Sequence, residues 1–164
     1  MELERLTVEN FRQFYGEQTL EFSEGGDTNV TVIHGSNGSG KTTLLNAYTW
    51  LLYDSISLPK PDHITSERAL AEANPGDSIT VAAELEFVHE GSHHVFRRER
   101  QMIRSSETEL VAHEQSEDIS LRYTDQNGNT KTRANPTTAV QQIMPERLRE
   151  IFFFDGETID KMVT

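Results

Sequence analysis

Val30-Thr-Val-Ile-His-Gly35-Ser36-Asn37-Gly38-Ser39-Gly40-Lys41-Thr42-Thr43 is the stretch whose reading decides the fold. Gly35 through Thr42 is a full match to G-x-x-x-x-G-K-[ST], the phosphate-binding loop pattern. Such a loop turns successive backbone N–H groups inward around a phosphate, and the helix that follows adds its unpaired N–H groups and positive dipole end. Glycine at 35, 38 and 40 avoids a Cβ that would block the turn or the phosphate. Lys41 supplies a point charge to the outer phosphates, and the Thr42 hydroxyl is the expected Mg²⁺ ligand. The apolar run Val30–Ile33 predicts a buried parallel strand, and Thr42 to Leu52 predicts an apolar helix. A chance Gly/Ser-rich turn is the alternative, and the order strand, loop, helix argues against it.

The 164 residues suit one domain with a real core, and the absence of cysteine excludes disulfides, thiolate metal sites and a cysteine nucleophile. No apolar run approaches the ~18 residues of a membrane span, and Met-Glu-Leu-Glu-Arg is not a signal peptide, so a cytoplasmic protein is expected. The net charge of −12 arises from nineteen Glu and eight Asp against fifteen Lys and Arg. A surface so acidic repels nucleic acid over most of its area, and it also fits a halophile, whose high-salt cytoplasm screens like charges. Residues 95–105 break the trend, with Arg97, Arg98, Arg100 and Arg104 against Glu99 alone.

Taken in order, Glu4–Asn10 and Thr19–Phe22 alternate as strands, with a loop over 10–16 and a turn at Gly25-Gly-Asp27. In the helix after the phosphate loop, apolar residues on two sides imply burial between layers. Trp50 and Tyr53 fit core packing better than a base-stacking platform. Pro59 and Pro61 mark a loop, Thr65 or Ser66 caps a short helix to Ala73, and Asn74-Pro-Gly-Asp77 is a turn. Ile79, Val81, Ala83, Leu85 and Phe87 then share one face of the clearest strand in the chain. Glu90-Gly91-Ser92 turns it into a partner strand, His93 to Arg104. His93-His94 is a weak metal signal against solvated loop histidines. Phe96, Arg98, Arg100, Met102 and Arg104 share a face, and this row either follows a phosphate backbone or pairs across strands with Glu84 and Glu86. Residues 105–120 are polar with a weak strand near Leu110–Ala112. Ile119–Tyr123 alternates, Asp125–Asn129 is a hairpin turn, and two short helices follow, Thr137–Met144 and Pro145–Glu150.

Three stretches together resemble the N-terminal half of an SMC-like, ABC-type ATPase head, in the order seen in the SbcC-like relatives that act in double-strand-break repair. They are Glu9-Asn-Phe-Arg12-Gln-Phe14, the phosphate loop, and Phe153-Phe-Asp155-Gly-Glu157-Thr-Ile159. The wording Phe-Phe-Phe-Asp-Gly-Glu is most similar to DndD, the ATPase of DNA phosphorothioation systems. The resemblance covers the whole chain in outline; the antiparallel stretch between the phosphate-loop helix and the tail matches in shape only. It implies ATP and Mg²⁺ as ligands, with Arg12 over the phosphates, where the rival reading is a surface salt bridge to a neighbouring glutamate. Asp155 falls where these heads usually carry a glutamine, so its reach to Mg²⁺ would run through a water. Alternatively Ile151-Phe-Phe-Phe-Asp155 mimics a Walker-B strand, with Asp155 on Mg²⁺ and Glu157 as base. Three consecutive phenylalanines and the intervening Gly156 count against that.

The expected fold is therefore α/β: lobe I of such a head, a P-loop core of mixed strands over residues 1–55 with one main helix. An antiparallel meander follows over 77–133, and 136–164 lead toward a coiled coil. No Ser-Gly-Gly signature, adjacent Asp-Glu strand end or later switch histidine occurs, and no heptads appear before Thr164. A fragment, a truncated gene product or a split subunit is expected, completed by a C-terminal lobe or a second head and working with nuclease or DNA-modification subunits. The other functional classes are a nucleotide-dependent interaction module without hydrolysis, and a direct DNA binder through Arg98, Arg100 and Arg104.

Overall fold

A computed structural model describes residues 1–23 and 30–148. In chain order these form β1 (Glu2–Glu9), β2 (Glu17–Glu21), α1 (Lys41–Tyr53), α2 (Glu67–Glu72), β3 (Ser78–His89), β4 (Ser92–Arg104), β5 (Ala112–Thr124), β6 (Thr130–Thr132), α3 (Pro136–Ile143) and a 3₁₀ turn, Glu146–Leu148. The strands make one sheet in the order β2-β1-β3-β4-β5-β6, every pairing antiparallel.

The alternation read from β3 is the register of the sheet. Ile79, Val81, Ala83, Leu85 and Phe87 are all buried on the face that α1 and α3 cover, joined by Leu6, Val8, Phe96 and Leu121 from neighbouring strands. α1 is buried along both of its apolar stripes, with Trp50, Leu51 and Leu52 no more than 1% exposed. Trp50 packs on Phe11 at 5.3 Å between ring centroids, which makes it core and removes the stacking-platform reading. The opposite face of the sheet carries Thr7, Glu9, Glu84, Glu86, Arg97 and Glu99, and no helix among the described residues covers it.

Glu90 and Gly91 both have positive φ, 51° and 72°, which is the twist a two-residue hairpin needs. Asp125 Oδ1 accepts the N–H groups of Asn127 and Asn129 and closes the β5–β6 turn. Ser66 stands at the N-cap of α2 as expected, although its hydroxyl does not cap the helix.

Four expectations are corrected. Val30–Ile33 forms no strand, and Val30, Val32 and Ile33 are 73%, 81% and 45% exposed, because no described strand lies beside them to pair with. The sheet is accordingly antiparallel rather than mixed. The polar stretch before Ile119, expected to hold only a weak strand near Leu110–Ala112, is strand from Ala112 onward: β5 runs thirteen residues, held by backbone pairing and by the arginines of β4. His93 and His94 lie in β4, not in a solvated loop, and His94 is buried between the rings of Phe87 and Tyr123. The turn at 25–27 and all of 149–164, with Asp155 and Glu157, fall outside the described residues.

Candidate nucleotide-binding site

The phosphate loop begins at Gly35 and closes into α1. Gly38 and Gly40 adopt φ of 80° and 103°, which side chains with a Cβ rarely reach, and a Cβ at Gly35 would meet the Ser39 hydroxyl at 2.4 Å. Gly40 is the N-cap of α1 and offers no side chain to cap it. The first-turn N–H groups of Lys41, Thr42 and Thr43 have no partner within the helix and so face the loop's mouth. Lys41 Nζ lies in the loop's own concavity, donating to the carbonyls of Gly35 at 2.6 Å and Ser36 at 2.8 Å. An ammonium held there by two carbonyls is the kind of donor that phosphate oxygens accept from strongly. Thr42 is exposed beside it, while Thr43 is buried.

Buried Thr43 identifies a contributor that the sequence reading passed over. Its hydroxyl donates to Gln13 Oε1 at 2.6 Å, and Gln13 Nε2 reaches the Gly38 carbonyl at 3.4 Å. Gln13 therefore ties the loop to the segment after β1. The geometry of that segment explains the Asn-Phe-Arg wording. Asn10 and Arg12 both have left-handed backbone, φ 48° and 52°. Asn10 is fixed through Oδ1 to the Gly16 N–H and through Nδ2 to the Thr80 carbonyl, and Phe11 between them is fully buried. Asn46 on α1 completes the frame: its Nδ2 donates to the Thr42 carbonyl, and its Oδ1 accepts from the Ser57 N–H at 2.6 Å.

Arg12 forms no ion pair with a glutamate among the described residues. Its Nη2 donates to the carbonyls of Pro59 and Lys60, its Nε is buried without a hydrogen-bond partner, and burial lowers its pKa. With Gln13 and Thr43 it lines a cavity of about 610 Å³, bounded also by Lys60, His63 and Thr65; Gly35–Thr42 do not line it. The Thr65 hydroxyl is buried there without a partner as well. Arg12 and Thr65, each with a buried polar atom that lacks a partner, thus line one cavity whose walls mix polar groups with Leu58, Leu70 and Val111.

The arginine row takes the pairing reading, with different partners. Glu84 and Glu86 face the open side of the sheet, whereas Arg98 and Arg100 lie on the helix side. Arg98, 3% exposed, donates to Glu117 at 2.8 Å and through Nε to the Leu51 carbonyl. Arg100 bonds Asp54 at 2.6 Å and Glu117 at 2.8 Å. Arg104 donates to the carbonyls of Leu70 and Ala73 at the end of α2. Burial pushes the Glu117 carboxyl up, but the bonds from Arg100 and Arg98 outweigh it and hold the group below its ordinary pKa. These three arginines are committed inside the protein and present no row of free cations to a phosphate backbone.

Residues 5–162 match the family described as AAA domain. The chain belongs to that family. A second similarity is to the DNA double-strand break repair Rad50 ATPase of Halobacterium salinarum, 37% identical over 101 residues. That match takes in 61% of this chain and 10% of the relative, so the chain spans about a tenth of the Rad50 protein. Together with the described sheet and helices, membership of the AAA-domain family fits an α/β P-loop NTPase. No described helix is long and apolar enough to cross a membrane.

Proposed function

We propose that this chain is the ATP-binding N-terminal lobe of an SMC/Rad50-type ATPase head, one side of a hydrolysis site that a C-terminal lobe or a second head completes. The observation that carries the proposal is the contrast at residues 30–43. The phosphate loop is formed, with its glycines, lysine and uncapped helix in place, while the apolar segment feeding it is exposed and forms no strand with the described residues. An apolar run becomes a buried strand only when other strands flank it, and a completing lobe would supply them.

In this reading the N–H groups of residues 38–43 and the Lys41 ammonium hold the β/γ-phosphates, Thr42 takes Mg²⁺, and Arg12 at the cavity wall serves the outermost phosphate. The Mg²⁺ would neutralise charge on the phosphate oxygens. Gln13 and Asn46 keep the loop in register. Asp155 is assigned to the Mg²⁺ shell through a water, and a cytoplasmic role in DNA repair, sulfur modification or defence follows from the Rad50 and DndD resemblances. In Lys41→Ala, losing one charge-assisted contact costs about 1.5–3 kcal/mol, roughly 10- to 150-fold in ATP affinity. Titration calorimetry that finds unchanged affinity in this variant sinks the proposal.

The second reading, a self-contained NTPase with Asp155 and Glu157 as Walker B, is distinguished by single-turnover assays on the chain alone. Hydrolysis that disappears in Glu157→Gln favours it over the shared site. A chain that binds ATP but remains inactive even with the completing lobe is instead an interaction module.

A further inference from the structure

On the open face of the sheet, far in sequence from the phosphate loop, three strands bring together Glu4, Glu86 and His93. His93 Nε2 lies 3.0 Å from Glu4 Oε2 and 3.4 Å from Glu86 Oε2, and one ligand atom from each residue fits within a 4.8 Å span. We infer that these three side chains form a binding site for a divalent transition-metal ion of the zinc, cobalt or nickel type, independent of the nucleotide site.

The backbone builds the cluster in a specific way. β1 pairs Leu3 with Phe87 and Arg5 with Glu86, so Glu4 is an extra residue, a β-bulge. A bulge sets two successive side chains opposite one partner and re-aims the extra one. Here it brings Glu4 alongside Glu86 on the open face. His93 is reached from the far side: Glu86 pairs with Val95, and His93 lies two residues along β4 on the same face, within diagonal reach. All three are partly buried, with 22–38% of each side chain exposed, so solvent can complete an ion's shell.

The donor chemistry discriminates among ions. One imidazole nitrogen and two carboxylate oxygens suit a borderline metal and leave one or two positions for water, whereas Mg²⁺ and Ca²⁺ select oxygen sets. The two separations from His93 Nε2, 3.0 Å and 3.4 Å, also match neighbouring ligands in a coordination shell. With metal–ligand bonds of about 2.0–2.2 Å, adjacent tetrahedral ligands stand roughly 3.3–3.6 Å apart and octahedral ones roughly 2.8–3.1 Å apart. Glu86 is already divided between two tasks: Arg5 Nη1 holds Oε1 at 3.1 Å, leaving Oε2 toward His93. That second-sphere bond fixes the orientation of the liganding oxygen. The neighbouring His94 does not compete, because its Nδ1–H donates to the Ser92 carbonyl and its ring is buried between aromatic rings. An ion here would fasten β1 to β3 and β4, and β1 is the strand that carries the chain into Asn10, Arg12 and Gln13.

The alternative is a simple ion pair between a protonated His93 and the two glutamates, and metal titration separates the two. Zn²⁺ added to the purified chain after chelator treatment should bind one equivalent per chain by calorimetry and raise the melting temperature saturably. Co²⁺ should develop visible d–d bands that Zn²⁺ displaces. His93→Gln and Glu4→Gln should each weaken binding by more than the ~10–100-fold that loss of a second-sphere group costs. Lys41→Ala should bind Zn²⁺ as the parent does. Circular dichroism of each variant confirms that the sheet is retained, and if Glu4→Gln alone stays folded it carries the test. No Zn²⁺-dependent shift in the parent chain, or an undiminished shift in folded His93→Gln or Glu4→Gln, overturns the site in favour of the ion pair.

Discussion

The helix side of the sheet and the segment entering the phosphate loop are both apolar by sequence, yet only one of them is buried. Leu85, Val81 and Trp50 sit at or near zero exposure, whereas Val32, equally apolar, is 81% exposed. The difference is not one of composition but of neighbours. β3 has β1 and β4 beside it and α1 above it, all supplied within about a hundred residues. Residues 30–33 have no described strand on either side. The described strands and helices of the scaffold pack on one another, whereas residues 30–33 are exposed and belong to no described strand. A β-strand buries its apolar surface only as part of a sheet, so under the proposed two-lobe reading residues 30–33 are where strands of the completing lobe would join.

The contrast can be broken most forcefully at Trp50. Trp50→Ala should cost about 3–5 kcal/mol in urea denaturation, whereas Val32→Thr should stay within about 0.5 kcal/mol in the isolated chain. Comparable losses at the two positions would mean that residues 30–33 are packed after all. Next in size is Arg98→Ala. Removing a buried cation from Glu117 and from the end of α1 should cost about 3 kcal/mol, and a double-mutant cycle with Glu117→Gln should show coupling. Additivity in that cycle would leave the helix end held by something else.

Gln13→Ala sharpens the boundary between scaffold and loop. Losing one hydrogen-bonding bridge of about 1 kcal/mol should weaken ATP binding roughly fivefold while the melting temperature changes little. The smallest effect is on acid sensitivity. Burial holds the His94 imidazole below its ordinary pKa, with the Ser92 carbonyl opposing and the nearby charges of His89, Arg133 and His93 assisting. The unfolded chain binds that proton near pH ~6.5 and the folded one does not. Stability from His94 is therefore complete above that pH and declines as the pH falls below it. His94→Phe should flatten the stability profile between pH 7 and 5. Glu117, also held low when folded, should still cause a fall at more acid pH, through the ordinary carboxylate range.

Much of this was legible in the residues. Period-two alternation over 79–87 located the central strand and its buried face, and the Gly-rich motif located the start of α1 to within a residue. The charged stretches were harder. Arg98 and Arg100 read either as a row for a phosphate backbone or as partners of Glu84 and Glu86, because alternation assigns a face without saying whether that face is covered. Only the partners, Glu117 and Asp54, one of them nineteen residues away, make burial of a guanidinium affordable. Glu114 and Glu117 hid β5 for the same reason, since the stabilising contacts of a polar strand lie in its neighbour. Gln13 carried no local signal at all: its importance comes from the approach of residue 43, which no spacing rule anticipates. The fate of 30–33 was misread because a strand's sequence states what it can pair with, not whether the pairing partner is present.

The bond from buried Arg98 to the Leu51 carbonyl has a mechanical consequence. α1 is thirteen residues long, about 20 Å, with the phosphate loop at one end and that guanidinium at the other. A rod anchored at its far end cannot slide along its own axis. A shift of the helix along its axis would have to break that bond, and Arg98 is in turn bonded to Glu117 of β5, so the position of the loop end is tied to the β4–β5 hairpin.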